Sequence, residues 1–197
     1  MMIDEYLTID EAKTGEGYYS EKRSKFLAFS HHVSTADEAK EIIGHYRKKY
    51  FDARHVCYAY MLGPERQQFR ANDDGEPSGT GGKPILGQIN SNELTDILVV
   101  VIRYYGGVNL GTSGLIVAYR TAAAAAIADS NVVKRQVEEL VTFSFPYVMM
   151  NSVMRVVKEM GPKIVVQKYD NTCEMTFSIR KSEASRLLEK LKKLSFE

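Results

Sequence analysis

Apolar residues recur along this chain with the two periods of regular structure. Ile97 to Ile102 reads ILVVVI, an unbroken β-branched run, which predicts a strand covered on both faces. Arg54 to Leu62 predicts a second strand, with Val56, Tyr58 and Tyr60 alternating with Cys57, Ala59 and Met61 until Gly63-Pro64 ends it. Tyr18 to Val33 reads as a strand on the alternation of Phe26 and Ala28, with Lys22, Arg23 and Lys25 of Ser20–Lys25 forming either a solvated turn or a cationic rim in or beside it, and Tyr6–Thr8 and Gln67–Ala71 read as short strands. Helical spacing takes over elsewhere. Ala39, Ile42, Ile43 and Tyr46 form a stripe within Ser34–Tyr50, with Ser34 or Thr35 as its cap, Asp37 and Glu38 in its first turn and Arg47 to Lys49 in its last. Leu115–Ala128 contains the alanines Ala122 to Ala126, the best helix formers, and its small side chains predict close packing on a sheet. Thr112 or Ser113 is expected to cap it, and Ile85, Leu86 and Ile89 after Lys83-Pro84 mark a short helix.

The rhythm restarts beyond Asn131–Arg135. Strand Gln136–Phe145, helix Pro146–Met160, a Gly161-Pro162 turn, strands Ile164–Tyr169 and Cys173–Ile179 joined at Asp170-Asn171, and helix Ser182–Leu194 follow in order. A β-α-β-β-α succession suits a small ferredoxin-like sandwich. The division predicted is 1–132 and 136–197, and the class α+β, a βαβ sandwich followed by a ferredoxin-like unit. Met149, Met150, Met154 and Met160 read as core filling.

Composition adds bounds. At 197 residues, 44% hydrophobic and 26% charged, the chain reads as an ordinary globular protein, and a net charge of +1 gives no global basic field. Cys57 and Cys173 lie far apart in apolar stretches, which reads as buried thiols in a reducing cytoplasm, and neither CxxC nor a Cys/His cluster supports zinc. The acidic start has no cationic segment before an apolar core, and no apolar run is long enough to span a bilayer, so neither a signal peptide nor a membrane is expected.

Candidate chemistry gathers between Asp73 and Tyr119. The loop Gly106–Ser113, with Gly106, Gly107, Asn109, Gly111, Thr112 and Ser113, joins the buried strand to the alanine helix. A glycine loop at a helix N-terminus presents free N–H groups to an anion. The same glycines can instead serve only tight turning and packing, and both readings stand. The loop is no phosphate-binding P-loop, because Thr112 occupies the place of the required lysine, and the dinucleotide pattern is absent too. Asp73, Asp74 and Glu76 form a carboxylate cluster able in principle to hold a divalent cation or act as bases, but the EF-hand spacing is missing and an Asp-Gly turn explains them. No metal or cofactor is expected.

The stretches RHVCYAY (Arg54–Tyr60), DDGEPSGT (Asp73–Thr80) and VVIRYYGGVNLG (Val100–Gly111) resemble the signature of the IMPACT/YigZ family over roughly Gly15 to Val132. Gly81 and Tyr105 depart from the expected alanine and phenylalanine. The resemblance implies a first domain similar to the second domain of a small-subunit ribosomal protein. It also implies a second domain similar to the last domain of elongation factor G, as bacterial members append. The eukaryotic relatives act in translational control, competing for an activator of the starvation-sensing kinase. This implies a non-enzymatic, translation-associated factor that binds RNA, the ribosome or a translation-control protein. Its expected contact residues are Arg23, Lys25, Arg54, His55, Lys83, Arg103 and Arg120, with Tyr104 and Tyr105 for stacking. The alternative is an enzyme or sensor that takes a phosphorylated small molecule or nucleotide on the glycine loop.

Overall fold

The structure, a computed structural model, describes residues 3–170 and 172–194. Met1, Met2 and Asn171, the last expected in a turn, lie outside them. The chain divides into two compact units, Tyr6–Arg135 and a second made of Gln136–Glu197 with Met1–Glu5. The α+β class read from the sequence is what the structure has.

The larger unit is built on a five-stranded antiparallel sheet, here β2 (Gly15–Glu21), β3 (Ser24–His32), β6 (Ile97–Tyr104), β4 (His55–Leu62) and β5 (Gln68–Asn72), in that spatial order. Its central strand β6 is fully buried from Ile97 to Ile102, as an unbroken apolar run requires. Alternate residues serve different cores. Val99 and Val101 pack with Cys57, Ala59 and helices α2 (Gly82–Ser91) and α3 (Gly111–Asp129) on one face. Leu98, Val100 and Ile102 pack with Tyr58, Tyr60 and helix α1 (Ala36–Lys49) on the other. β1 (Glu5–Ile9) pairs with β7 (Val132–Gln136) as a separate two-stranded sheet. Thr35 caps α1 by accepting from Glu38 N–H at 3.1 Å.

The alanine face of α3 lies directly on β2 because β2 carries glycines there. A Cβ on Gly15 would stand 2.3 Å from the Ala126 carbonyl oxygen, and one on Gly17 2.5 Å from that of Ala122. Side-chain-free backbone on the strand and methyl groups on the helix are thus two halves of one packing solution.

The expected single strand Tyr18–Val33 is a hairpin, β2 and β3. Lys22 and Arg23 form its two-residue turn with φ of 47° and 66°. Positive φ at both positions is the turn geometry that matches strand twist. The solvated turn that Ser20 to Lys25 suggested lies here, although no Asn-Gly or Asp-Gly marks it.

The second unit runs β8 (Glu138–Phe145), a 3₁₀ turn, α4 (Met150–Met160), β9 (Lys163–Tyr169), β10 (Cys173–Arg180) and α5 (Lys181–Lys193). Its antiparallel sheet is ordered β8-β10-β9 and buries Phe145, Met175 and Phe177 against Val153, Leu187 and Leu191 of the helices. Gly161 ends α4 in the left-handed conformation, φ 66°. α5 takes its cap from far away in sequence: the Asp4 carboxylate accepts from Ser182 N–H at 3.1 Å and Ser182 Oγ–H at 3.0 Å. Both cysteines are buried and free.

Candidate functional site

Strand β6 carries Arg103 at its C-terminal end on the α2/α3 face, and its cross-strand neighbours are Phe26 on β3 and His55 on β4. The Arg103 guanidinium is held on three sides. Its Nη1 donates to both oxygens of Glu76, at 2.6 and 2.9 Å, and its carbon sits 5.6 Å from the ring centres of both Phe26 and Tyr105. Glu76 also accepts from Tyr119 Oη–H at 2.7 Å. Burial pushes the Tyr119 phenol upward, with Cys57 and Glu76 beside it adding to the shift, so it stays a donor. Arg103 Nε is buried and has no hydrogen-bond partner among the described residues.

His55 is oriented from behind. Its Nδ1–H donates to the Asp74 carbonyl at 2.8 Å, which leaves Nε2 facing Glu76 Oε2 at 3.6 Å. The turn that delivers Glu76 is built by its own carboxylates. Asp73 accepts from the N–H groups of Gly79, Gly81 and Gly82 at 2.9, 3.0 and 2.8 Å. Burial works against its ionisation, but these N–H groups outweigh it and hold the carboxyl below its ordinary value. Asp74 accepts from Arg47 Nη2 at 2.6 Å and from Val56 N–H at 2.7 Å. The three carboxylates therefore point to three different sets of donors. Among the described residues no group of His, Cys, Asp or Glu is placed to hold a metal ion.

Above this network opens a cleft of about 580 Å³. Arg54, His55, Glu76, Arg103, Tyr105, Asn109, Gly111 and Thr112 all line it, so the structure brings these expected residues together. Arg54 is exposed, and its backbone N–H donates to the Arg103 carbonyl at 2.9 Å, which fixes it at the rim. Tyr105 is 48% exposed, and its hydroxyl donates to Asn109 Oδ1 at 3.1 Å.

α3 begins at Gly111, and Leu110 stands at its cap with no side-chain cap bond. Thr112 and Ser113 are thus inside the first turn, not at the cap as expected, because the helix starts upstream of both. The first N–H groups of a helix lack intrahelical partners, and Gly111 and Thr112 of this first turn line the cleft. Gly107 and Gly111 supply positive φ, 85° and 72°. Gly106 serves packing: a Cβ there would stand 2.2 Å from the Arg23 backbone, and its N–H donates to Ser24 Oγ at 3.1 Å.

Other expected contact residues lie elsewhere. Arg23 sits in the β2–β3 turn against Gly106. Lys25 pairs with Tyr104, and Tyr104 packs on the α1 face, opposite Arg103, with its hydroxyl donating to Asp52 at 2.8 Å. Lys83 and Arg120 line a separate groove between α2 and α3. Sequence reasoning missed Tyr119 and Phe26 as parts of the site. The signal was present for Tyr119, the one aromatic residue in Leu115–Ala128.

Comparison with known proteins agrees with this architecture. The Impact N-terminal domain model matches residues 22–127. IMPACT family member YvyE of Bacillus subtilis (strain 168) is 32% identical over 194 residues, covering 98% of this chain and 88% of the relative. IMPACT family member YigZ of Escherichia coli (strain K12) is 43% identical over 100 residues, about half of either chain. A crystal structure of a hypothetical protein is similar at a TM-score of 0.77 and 28% identity, covering 98% of this chain and 94% of that one. No helix among the described residues is long and apolar enough to cross a membrane.

Proposed function

This chain belongs to the IMPACT family, and from that premise we propose that it is a non-enzymatic, translation-associated regulatory factor that holds RNA in the Arg54–Tyr105 cleft. The observation that carries the reading is a convergence. An exposed guanidinium, a half-exposed tyrosine ring and the uncapped start of a 19-residue helix line one cavity. Phosphate oxygens suit the guanidinium and the helix N–H groups, and an unpaired base suits the ring. The carboxylate of the cleft, Glu76, is already engaged by Arg103 and Tyr119, so it neither repels phosphate as a free charge nor stands ready as a base.

Filter binding of single-stranded and structured RNA across a salt series tests this, with Arg54→Ala and Tyr105→Ala beside the wild type. Binding that strengthens as salt falls and weakens in both variants supports the proposal. Absence of binding at low salt sinks it.

The open N–H groups of α3 also favour a second reading, a sensor or enzyme for a phosphorylated small molecule. Calorimetry with nucleotides and sugar phosphates separates the two. Heat that saturates with a small phosphate in a protein indifferent to RNA selects the second reading.

A further inference from the structure

We propose that the bound RNA is a single strand that leaves the cleft and continues into a second cationic groove, where Lys83 and Arg120 take its next phosphates. This rests on the RNA reading above and extends its footprint. The groove lies between α2 and α3 and has a volume of about 580 Å³. Lys83, Gly87, Gln88 and Ser91 wall it on one side, and Ile116 and Arg120 on the other. No carboxylate lines it, and among the described residues neither Lys83 nor Arg120 has an ion-pair partner. Both cations are exposed.

The two concavities have no lining residue in common, but neighbouring residues of the same two segments line both. Residues 75–77 line the cleft, and Gly79 and Lys83 in the same segment line the groove. On α3, Thr112 and Leu115 face the cleft, and Ile116 and Arg120 face the groove. From Thr112 to Arg120 the helix rises roughly 12 Å at 1.5 Å per residue. A single strand of a few nucleotides covers that distance, with one phosphate in the cleft and following ones at Lys83 and Arg120. The Tyr105 ring requires an unpaired base, which selects single-stranded over duplex RNA.

Gly87 provides a separate observation. It sits inside α2, where glycine is a poor helix former, yet a Cβ there would meet no atom within 4 Å. Packing does not demand the glycine, and its bare backbone leaves the groove open for close approach.

The experiment is fluorescence anisotropy with labelled oligouridylates two, four and eight nucleotides long, over a salt series. Wild-type affinity is expected to rise with length. In Lys83→Ala/Arg120→Ala, binding of the eight-nucleotide strand should lose two phosphate contacts. Its salt slope should then fall by about 1.4, or about 25-fold in affinity at 0.1 M salt, while the two-nucleotide strand binds as before. Gly87→Leu should fill the groove and weaken only the longer strands. Gly44→Leu on α1, where a Cβ also meets nothing within 4 Å, is the matched control. An unchanged salt slope in the double variant, or affinity independent of length, overturns the second groove and leaves the cleft reading standing. A wild-type protein that binds none of the strands overturns both.

Discussion

Glu76 and Arg103 form an ion pair of 2.6 Å at the base of the cleft, with side chains only 3% and 6% exposed. Removing one partner strands the other charge in the interior, which costs on the order of 3–5 kcal/mol. Arg103→Ala should therefore lower the urea midpoint sharply, and Glu76→Gln should do so to a lesser degree, since the amide still accepts from Tyr119. If Arg103→Ala unfolds at the wild-type midpoint, the pair is not structural. The same argument makes Arg103 a poor probe of binding. Arg54, exposed on the rim, tests the proposed binding without disturbing the pair, whereas Tyr105→Ala also removes the ring beside Arg103 and is read together with its urea midpoint.

Gly17→Ala places a methyl group 2.5 Å from backbone atoms of Ala122 and Ala126. Backbone cannot rotate away, so α3 must lift from β2, at about 1–3 kcal/mol for overpacking of this kind. Thermal melting should show a loss of several degrees. Gly44→Ala, with open space around its Cβ, should raise the melting temperature instead. Equal effects of the two substitutions would contradict the packing account.

Asp73 is held below its ordinary value of 3.8, so its folded form binds protons less readily than its unfolded form. Its contribution is fully present above that value and is lost as pH falls through the lower, folded one. Asp73→Asn replaces one of the two accepting oxygens by an NH2 group, so at least one of the three N–H donors loses its acceptor, and should cost on the order of 2 kcal/mol at neutral pH. Urea unfolding at pH 7 and pH 3 should show the gap between variant and wild type narrowing in acid. A gap that widens in acid refutes the sign.

His31 is held below its ordinary value of 6.5, by burial first and by the nearby His45 second, and its Nε2 lies 2.7 Å from the Tyr46 hydroxyl. Protonation favours the unfolded chain. Stability attributable to His31 is therefore full above about pH 6.5 and declines as pH falls through the lower folded value. Between pH 7.5 and 5 the wild-type melting temperature should drop more than that of His31→Gln. Parallel curves would assign the pH response to other groups.

Local pattern alone was enough for several parts of this protein. An apolar run such as Ile97–Ile102 has no polar residue to offer water, and its shortness and β-branched residues favour a strand between two layers over a buried helix. The small alanines of α3 called for close packing, and Ser34 or Thr35 ahead of Asp37 and Glu38 marked a helix start, with the structure choosing Thr35 as the cap. The stretches around Arg54, Asp73 and Arg103 were long enough to mark the family from sequence. These properties depend on neighbours within a turn or two of the chain.

The site depended on partners far away along it. Arg103 and Tyr104 are adjacent, yet strand alternation sends one to the cleft and the other to the α1 face. Glu76 meets Arg103 and Tyr119 only once β6, α3 and the Asp73 turn are assembled. Asp4 caps a helix 178 residues away. Sequence thus determined most of the elements, the burial of the central strand and the family, but not the β2–β3 turn or the start of α3. Tertiary structure decided which charges pair and which stay exposed beside the cleft, because that depends on strand register and side-chain approach, which no local period encodes.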